Sequence, residues 1–582
     1  RSRRGGPSAG RGLTAPSEGP AHLMRTPYLQ QDLRPREPAR PVEPPPSQQS
    51  PEPSRSSVSP WSPLRHRVYR WLWTASLASN VGTWLQSVGA SWLMTSLTTS
   101  TAMVAMVQAA TSLPMFLLSL PGGAIADVVD RRRLLLITQT WMALSAGGLA
   151  LTTLAGGASP WTLLLFTFLL GMGAAINGPA WQAIIPELVP REDLAGAVAL
   201  GSIGFNIARA AGPALGGLLV AAAGPGWTFL INAASFVGVI AVLYTWKRPE
   251  ETSTLPAEQF LGAMRTGLRY VRHAPEVIAV IVKGSAFVLC GSSIWALVPV
   301  VARNLGRGPS DYGLLLAAMG AGAVAGAMVL PRLRSRHSAD RVVAAATLVF
   351  AAATVALAWL RIFPLLFLAM LFAGGAWVSL LSSLNVSIQT SVPSWVRARA
   401  LSVYMLMFFG GLALGSALWG AMAERLGTPW ALTVSAVGMI VGLVATARVQ
   451  LRSGEGLNLA PSRQWPAPMV AQDLEHDRGP VLVTVEYRID PARAAEFAAA
   501  MRHIRRIRLR DGALQWGLFA DAAVPGLYTQ VFLVQSWAEH LRQHERATVA
   551  DRDIEREAWS FHLGPEPPVV RHLIGERVRE PR

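Results

Sequence analysis

The chain has a single cysteine, Cys290, among its 582 residues. That excludes an internal disulfide and any metal site built from several thiolates. Charge is scarce as well. Asp, Glu, Lys and Arg make up 15% of the residues, against about 25% in a soluble globular chain. No carboxylate stands well inside an apolar run; Asp127, Glu187, Asp193 and Asp311 all lie at run ends. A buried carboxylate is a common proton carrier within a membrane, and the sequence does not reveal one. The phosphate loop GxxxxGK[ST] is also missing, which argues against work driven by ATP. Residues 1–60 have no apolar stretch of the kind a secretory signal needs.

What is present is hydrophobic. Apolar residues make up 51% of the chain, and the mean hydropathy is +0.33. They fall into twelve runs, near 70–95, 101–125, 132–154, 160–180, 195–222, 226–246, 276–301, 311–331, 341–360, 363–385, 398–421 and 428–448. Runs of about twenty apolar residues cross a bilayer as helices. The expected fold class is therefore an all-α polytopic membrane protein. The formal charge of +17 does not point to nucleic acid, because the arginines cluster in alternate connections. One set holds Arg65, Arg67 and Arg70, then Arg131 to Arg133, Arg191, Arg265 to Arg272, Arg332 to Arg336, Arg397 and Arg399, and Arg448 and Arg452. The other set is short and nearly uncharged, apart from Arg303, Arg307, Arg361 and the Glu424–Arg425 pair. Positive charge stays on the cytoplasmic side, so both termini are expected there, in a multi-pass protein of the inner membrane.

Composition divides the chain further. Residues 1–60 are rich in Pro, Ser, Gly and Arg and read as a disordered tail. Six runs occupy 65–246 and six occupy 276–450. Between them, 247–275 carries Phe260, Met264, Leu268 and Val271 at helical spacing among arginines, as an amphipathic surface helix would. An internal repeat supports the division. Val189–Pro190 before the fifth run and Val392–Pro393 before the eleventh stand about 200 residues apart, as do the glycine-rich cores that follow them. A polar linker at 451–479 leads to an α+β domain at 480–582. Its order is β-α-β-β-α-β, a ferredoxin-like pattern. In it, Val481, Val483, Val485, Trp516, Phe532 and Val534 offer apolar strand surface for a second buried face, so a homodimer through this domain is expected.

The stretch PGGAIADVVDRRRLLL, Pro121 to Leu136, joins the second and third runs. Gly123, Asp127, Arg131 and Arg132 match G-x-x-x-D-x-x-x-R-R, the pattern that joins helices 2 and 3 in the major facilitator superfamily; Asp130 stands where that family often has Gly. The resemblance implies twelve transmembrane helices in two six-helix halves. Gly123 would let two helices approach. Asp127 would face the positive end of the helix that begins near Val396 and carries Arg397, forming a gate. The alternative is an ordinary loop whose arginines only set orientation.

GPALGG (Gly212 to Gly217), preceded by Arg209, resembles the fifth-helix antiporter motif of drug-exporting facilitators. Gly212 and Pro213 suit a helix that flexes or slides. Together with N-x-G-T-W-L-Q (Asn80 to Gln86) and VPRED (189–193), these motifs resemble the enterobactin-exporter branch of that superfamily, the transmembrane secretion effectors. The resemblance covers about 65–450. It implies ion-driven export of a small siderophore-like or drug-like molecule, with a proton the expected coupling ion, no cofactor, no resident metal and no catalysis. Polar side chains within the runs are the candidate substrate contacts: Asn80, Trp84, Gln86, Gln108, Asn177, Asn206, Arg209, Asn232, Lys283 and Asn385. Bonding between helices is the plainer role for each of them. Arg209 either meets an anion or spends its charge on backbone carbonyls and lipid headgroups.

The last domain resembles the antibiotic-biosynthesis-monooxygenase type of dimeric α+β barrel. That raises a different function, a tethered cofactor-free oxygenase or a small-molecule-binding regulator, with Trp516, His540, His544, Arg546 and Asp551 as candidates. His540 and His544 share a helix face and are spaced as a metal pair, but HLRQHER is polar and reads as a solvated face.

Overall fold

The computed structural model describes residue 59, residues 61–246, 269–451 and 478–576, and, in the connection before the last domain, 458–460, 462 and 475. The expected N-terminal tail, most of the 247–275 segment and most of the 451–479 linker lie outside the described residues, as do the side chains at 124, 127 and 128.

Twelve long helices are present among the described residues. The first six are α1 (Arg67–Leu97), α2 (Thr101–Val128), α3 (Arg131–Leu154), α4 (Pro160–Leu188), α5 (Leu194–Ala223) and α6 (Pro225–Thr245). The last six are α7 (Pro275–Asn304), α8 (Pro309–Arg336), α9 (Ala339–Trp359), α10 (Phe363–Ser391), α11 (Ser394–Leu426) and α12 (Thr428–Ala445). Eleven of them are long and apolar enough to cross a membrane. The exception is α1, which carries Ser76, Ser79, Asn80, Thr83, Gln86 and Ser87 into a cavity described below.

Local chemistry sets the ends of these helices. Ser159 and Thr162 form a reciprocal capping box at the start of α4. Asp130 accepts from the Arg133 N–H at 2.8 Å and starts α3, which accounts for a carboxylate at that place in the motif. Gly224 (φ +89°) and Gly427 (φ +85°) end α5 and α11 in a conformation that only glycine adopts easily. The same chain spacing separates these two glycines as separates Val189 from Val392, so the repeat seen in sequence recurs in backbone geometry.

Helices α1–α6 pack among themselves, and so do α7–α12; α2 packs on α11 and α5 on α8 across the two groups. Small residues permit those crossings. A β-carbon on Gly217 would stand 2.5 Å from the Pro309 carbonyl oxygen, and one on Gly320 would stand 2.7 Å from that of Arg209. Trp84 fills the space beside Gly212, joining α1 to α5. The close approach in the loop motif is made by Gly122 against Ala175 and Ile176 of α4. Gly123, expected in that role, meets no described atom within 4 Å.

The last domain holds a four-stranded antiparallel sheet in the order β2-β3-β1-β4, with β1 Val481–Arg488, β2 Gln515–Ala520, β3 Leu527–Val534 and β4 Val569–Ile574. Three helices accompany it: α13 (Ala494–Asp511), α14 (Trp537–Arg546) and α15 (Val549–Trp559). Phe497, Met501 and Ile504 of α13 pack onto Val481, Val483, Val485, Phe532 and Val534. These valines and Phe532 therefore lie on the helix-covered face, not on a second apolar face as the alternation suggested. Their cross-strand register places Leu482, Leu533 and Leu573 together on the other face.

Candidate functional site

A cavity of about 1060 Å³ runs through the first six helices. It lies among residues of α1 to α6, with Phe409 and Leu412 of α11 on one side. It reaches Ile185 and Pro186 near the end of α4 and Leu194 at the start of α5. That end of the bundle also holds Arg131 to Arg133.

Six of the residues expected at a substrate site line this cavity: Asn80, Gln86, Gln108, Asn177, Asn206 and Asn232. Several are held by neighbours. Asn232 donates to Gln86 Oε1 at 2.5 Å, joining α6 to α1. Gln108 donates to Ser112 Oγ at 3.0 Å, and Asn206 donates to the Ser202 carbonyl oxygen at 2.8 Å. The other four lie outside the lining. Trp84 packs against Gly212. Arg209 is half-buried on α5 beside the seam with α8. Lys283 is buried and pairs with Asp340 at 2.5 Å, joining α7 to α9. Asn385 accepts from Gln389 at 2.5 Å on α10.

Sequence reasoning misses Gln139 and Thr138 of α3. Both are buried; Gln139 lines the cavity, and its amide donates to Asn177 Oδ1 at 3.2 Å. The available signal was the one that found Gln108, a glutamine within an apolar run.

The two ends of the bundle are built differently. At the arginine-rich end, Arg131 bonds Glu187 at 2.8 Å and the Ala183 carbonyl oxygen at 3.1 Å. Arg132 donates to the Leu243 and Tyr244 carbonyl oxygens at 2.9 and 2.7 Å, where a cation meets the negative end of α6. Asp193 of the VPRED stretch receives His66 at 2.7 Å and the Ser62 hydroxyl. Arg397 is exposed, and the Asp127 side chain lies outside the description. At the charge-poor end, Arg303 of α7 donates to the Thr98 carbonyl oxygen at 3.0 Å and to that of Thr95 at 3.3 Å. Glu424 of α11 accepts from the Ala102 N–H at 3.1 Å and the Ser100 hydroxyl at 3.2 Å, where an anion meets the positive end of α2. Trp92 of α1 stacks on Tyr312 of α8 with ring centroids 6.1 Å apart. Arg303 and Glu424 thus cross between the first six helices and the last six, whereas Arg307 pairs with Asp311 and Arg361 donates to the Ala358 and Leu360 carbonyl oxygens within the last six.

The last domain sits at the arginine-rich end. Arg269 donates to the Gly512 carbonyl oxygen at 2.9 Å. The Arg546 guanidinium lies 4.7 Å from the ring centre of Trp395, at the start of α11, and Arg510 lies 5.6 Å from that of Tyr270. Tyr270 and Trp395 meet edge-on at 5.6 Å.

Inside this domain the polar helix is not a solvated face. His540 is 2% exposed, its Nε2 lies 3.3 Å from that of His544, and its ring centre lies 4.7 Å from that of His572. The reading fails because polarity alone does not set burial. Trp537, His540 and His544 form a helical stripe facing the sheet, and charges beside it are paired, Arg546 with Glu539 at 2.6 Å and Arg508 with Glu555 at 2.7 Å. Burial, with His544 and His572 adding to it, pushes the His540 pKa down to about 3; burial and Arg508 push His544 down to about 4. Both imidazoles are neutral near pH 7. Among the described residues, no group of three or more His, Cys, Asp or Glu is placed to hold a metal ion.

Similar proteins place this architecture. The enterobactin exporter EntS of Escherichia coli (strain SMS-3-5 / SECEC) is 27% identical over 418 residues, covering 70% of this chain and 96% of that one. EntS of Shigella boydii serotype 4 (strain Sb227) is 26% identical over the same length. Among solved structures, a bacterial homologue of the human lysosomal transporter Spinster, inward-facing and unoccupied, aligns with a TM-score of 0.54 at 17% identity, covering 66% of this chain and 98% of that one. A nucleoside transporter, NupG (D323A mutant), aligns with a TM-score of 0.54 at 16% identity, covering 66% and 99%. These relatives are transporters rather than enzymes. Residues 58–580 match the family described as transmembrane secretion effector, and the chain belongs to that family of multi-pass transport proteins.

Proposed function

We propose that the protein exports a small molecule across the cytoplasmic membrane by alternating access, driven by an ion gradient, most simply of protons. In this reading α1–α6 and α7–α12 are two six-helix halves with both termini cytoplasmic. The observation that carries it is the pairing of one cavity with two unlike ends. The cavity reaches the arginine-rich end, while Arg303 and Glu424 tie the halves together at the other. A substrate would enter from the cytoplasm, and exchanging which end is tied would release it outside. In this reading Asp127 stands at the cytoplasmic gate with Arg131, Arg132 and Arg397, while Gly212 and Pro213 serve the sliding seam.

The last domain is a ferredoxin-like module that modulates transport. Its outer sheet face carries Leu482, Leu533 and Leu573, with Leu573 and Phe519 exposed, and suits a homodimer contact. A second reading, a small-molecule-binding or oxygenase role for this domain, is favoured by Trp516 Nε1 and Gln530 Nε2, which are buried without hydrogen-bond partners. Oxygen uptake with quinol substrates would separate it from modulation.

Everted membrane vesicles test the main reading. A proton gradient should drive uptake of siderophore-like or hydrophobic compounds by vesicles holding the intact protein. Asp127→Asn should lower that uptake at equal protein abundance. Gradient-independent uptake, or full activity in the Asn variant, would refute coupled export or the gate respectively.

A further inference from the structure

Building on the export reading, we infer that the cavity takes substrates that are uncharged when bound, neutral hydrogen-bonding molecules, with Gln139 accepting a substrate O–H or N–H. Every described residue lining the cavity is uncharged. Its polar groups are hydroxyls and the carboxamides of Asn80, Gln86, Gln108, Gln139, Asn177 and their neighbours. Carboxamides both donate and accept, so they suit neutral polar groups of either kind. They replace the hydration of a full charge poorly; a charge inside a protein is held chiefly by an opposite charge, a dense hydrogen-bond shell or, for a cation, aromatic faces. Of the basic residues nearest to the cavity in the chain, Arg131 is engaged with Glu187, and Arg209 of α5 lies outside the lining.

Gln139 supplies the directional contact. It is 4% exposed and lines the cavity, and its Oε1 has no hydrogen-bond partner. Its Nε2 is used on Asn177 Oδ1 at 3.2 Å, and the Thr138 hydroxyl lies 3.0 Å from that same oxygen. A buried carbonyl without a donor is unfavourable, and a substrate donor relieves it. The volume of about 1060 Å³ lies just above the roughly 300–1,000 Å³ usual for small-molecule sites, so the substrate is a large neutral molecule or one that leaves room for water.

Three nitrobenzoxadiazole dyes test this, differing only in an arm that ends in a hydroxyl, a trimethylammonium or a sulfonate. Binding to the full-length protein in nanodiscs is read from dye fluorescence, and movement is read in everted vesicles. The hydroxyl dye should bind at least about tenfold more tightly than either charged dye. Gln139→Leu should weaken it about 3- to 10-fold. The nearly isosteric Gln139→Glu, checked for an unchanged melting temperature, should shift preference toward the trimethylammonium dye. Equal binding of a charged dye, an unmoved preference in Gln139→Glu, or no binding of any dye overturns the inference. Movement of all three dyes at one rate sinks the neutral class and leaves export standing. Selective binding of the hydroxyl dye without any gradient-driven movement sinks export and leaves the neutral site standing.

Discussion

The two ends of the helix bundle carry different amounts of charge and use it differently. The arginine-rich end has many cations, yet Arg131, Arg132 and Lys283 each bond within their own six-helix group. The opposite end has few, yet Arg303 and Glu424 reach across to the helix termini of the other group. Among these described contacts, abundance of charge therefore does not mark where the groups are joined. Cations at the first end brace each group. A single ion at the second end, aimed at a helix terminus, makes a contact that can be broken and remade, because its strength of about 0.3–2 kcal/mol is comparable to thermal bias between two conformations.

The largest expected effect is at the arginine-rich end. Asp340→Ala leaves the buried Lys283 ammonium without its 2.5 Å partner, and removing one member of such a pair costs about 3–5 kcal/mol. The melting temperature of the purified protein should fall clearly, and a second change, Lys283→Met, should recover part of it. An unchanged melting curve would mean that this end is not braced within its own group.

Acid should come next and act on the same end only. His540 and His544 have pKa values lowered from 6.5 to about 3 and about 4. The unfolded chain therefore binds more protons than the folded domain between those values, and the stability these residues contribute is complete above about pH 6.5 and lost as pH falls toward 4 and below. Protease sensitivity of the last domain should rise through that window, and His540→Phe should flatten the rise. A flat profile in the parent protein would break the assignment of a neutral, buried histidine stripe.

A smaller effect is expected at the charge-poor end. Glu424→Gln weakens the contact with the start of α2 by up to about 2 kcal/mol. With Cys290 replaced by Ser and Ser91, a cavity residue, replaced by Cys, labelling from outside by a membrane-impermeant maleimide should increase several-fold. Unchanged labelling would show that Glu424 does not hold this end shut. The smallest effect belongs to Trp395→Ala, which removes a cation–aromatic contact with Arg546 of about 0.5–2 kcal/mol. The last domain should be cleaved from the rest by protease somewhat sooner, with insertion unaltered.

Much of this architecture follows from short-range chemistry and is legible without coordinates. Hydrophobic runs and the alternation in Val481–Arg488 depend on neighbours a few residues away. The same holds for Asn80, Gln86 and Asn177, where a polar residue in an apolar run signals an interior surface. Sequence alone determined that this chain forms long apolar helices in a repeated pattern and ends in an α+β domain. Only the tertiary structure decided which polar groups share the cavity, leaving Arg209 and Lys283 outside it. It also decided that Gly122 rather than Gly123 meets α4, and that the polar helix carrying His540 is buried. Each of these outcomes depends on a partner tens or hundreds of residues away: Asn177 for Gln139, Asp340 for Lys283, His572 for His540. Residue type reports the cost of burial, whereas the meeting of distant side chains decides whether that cost is met.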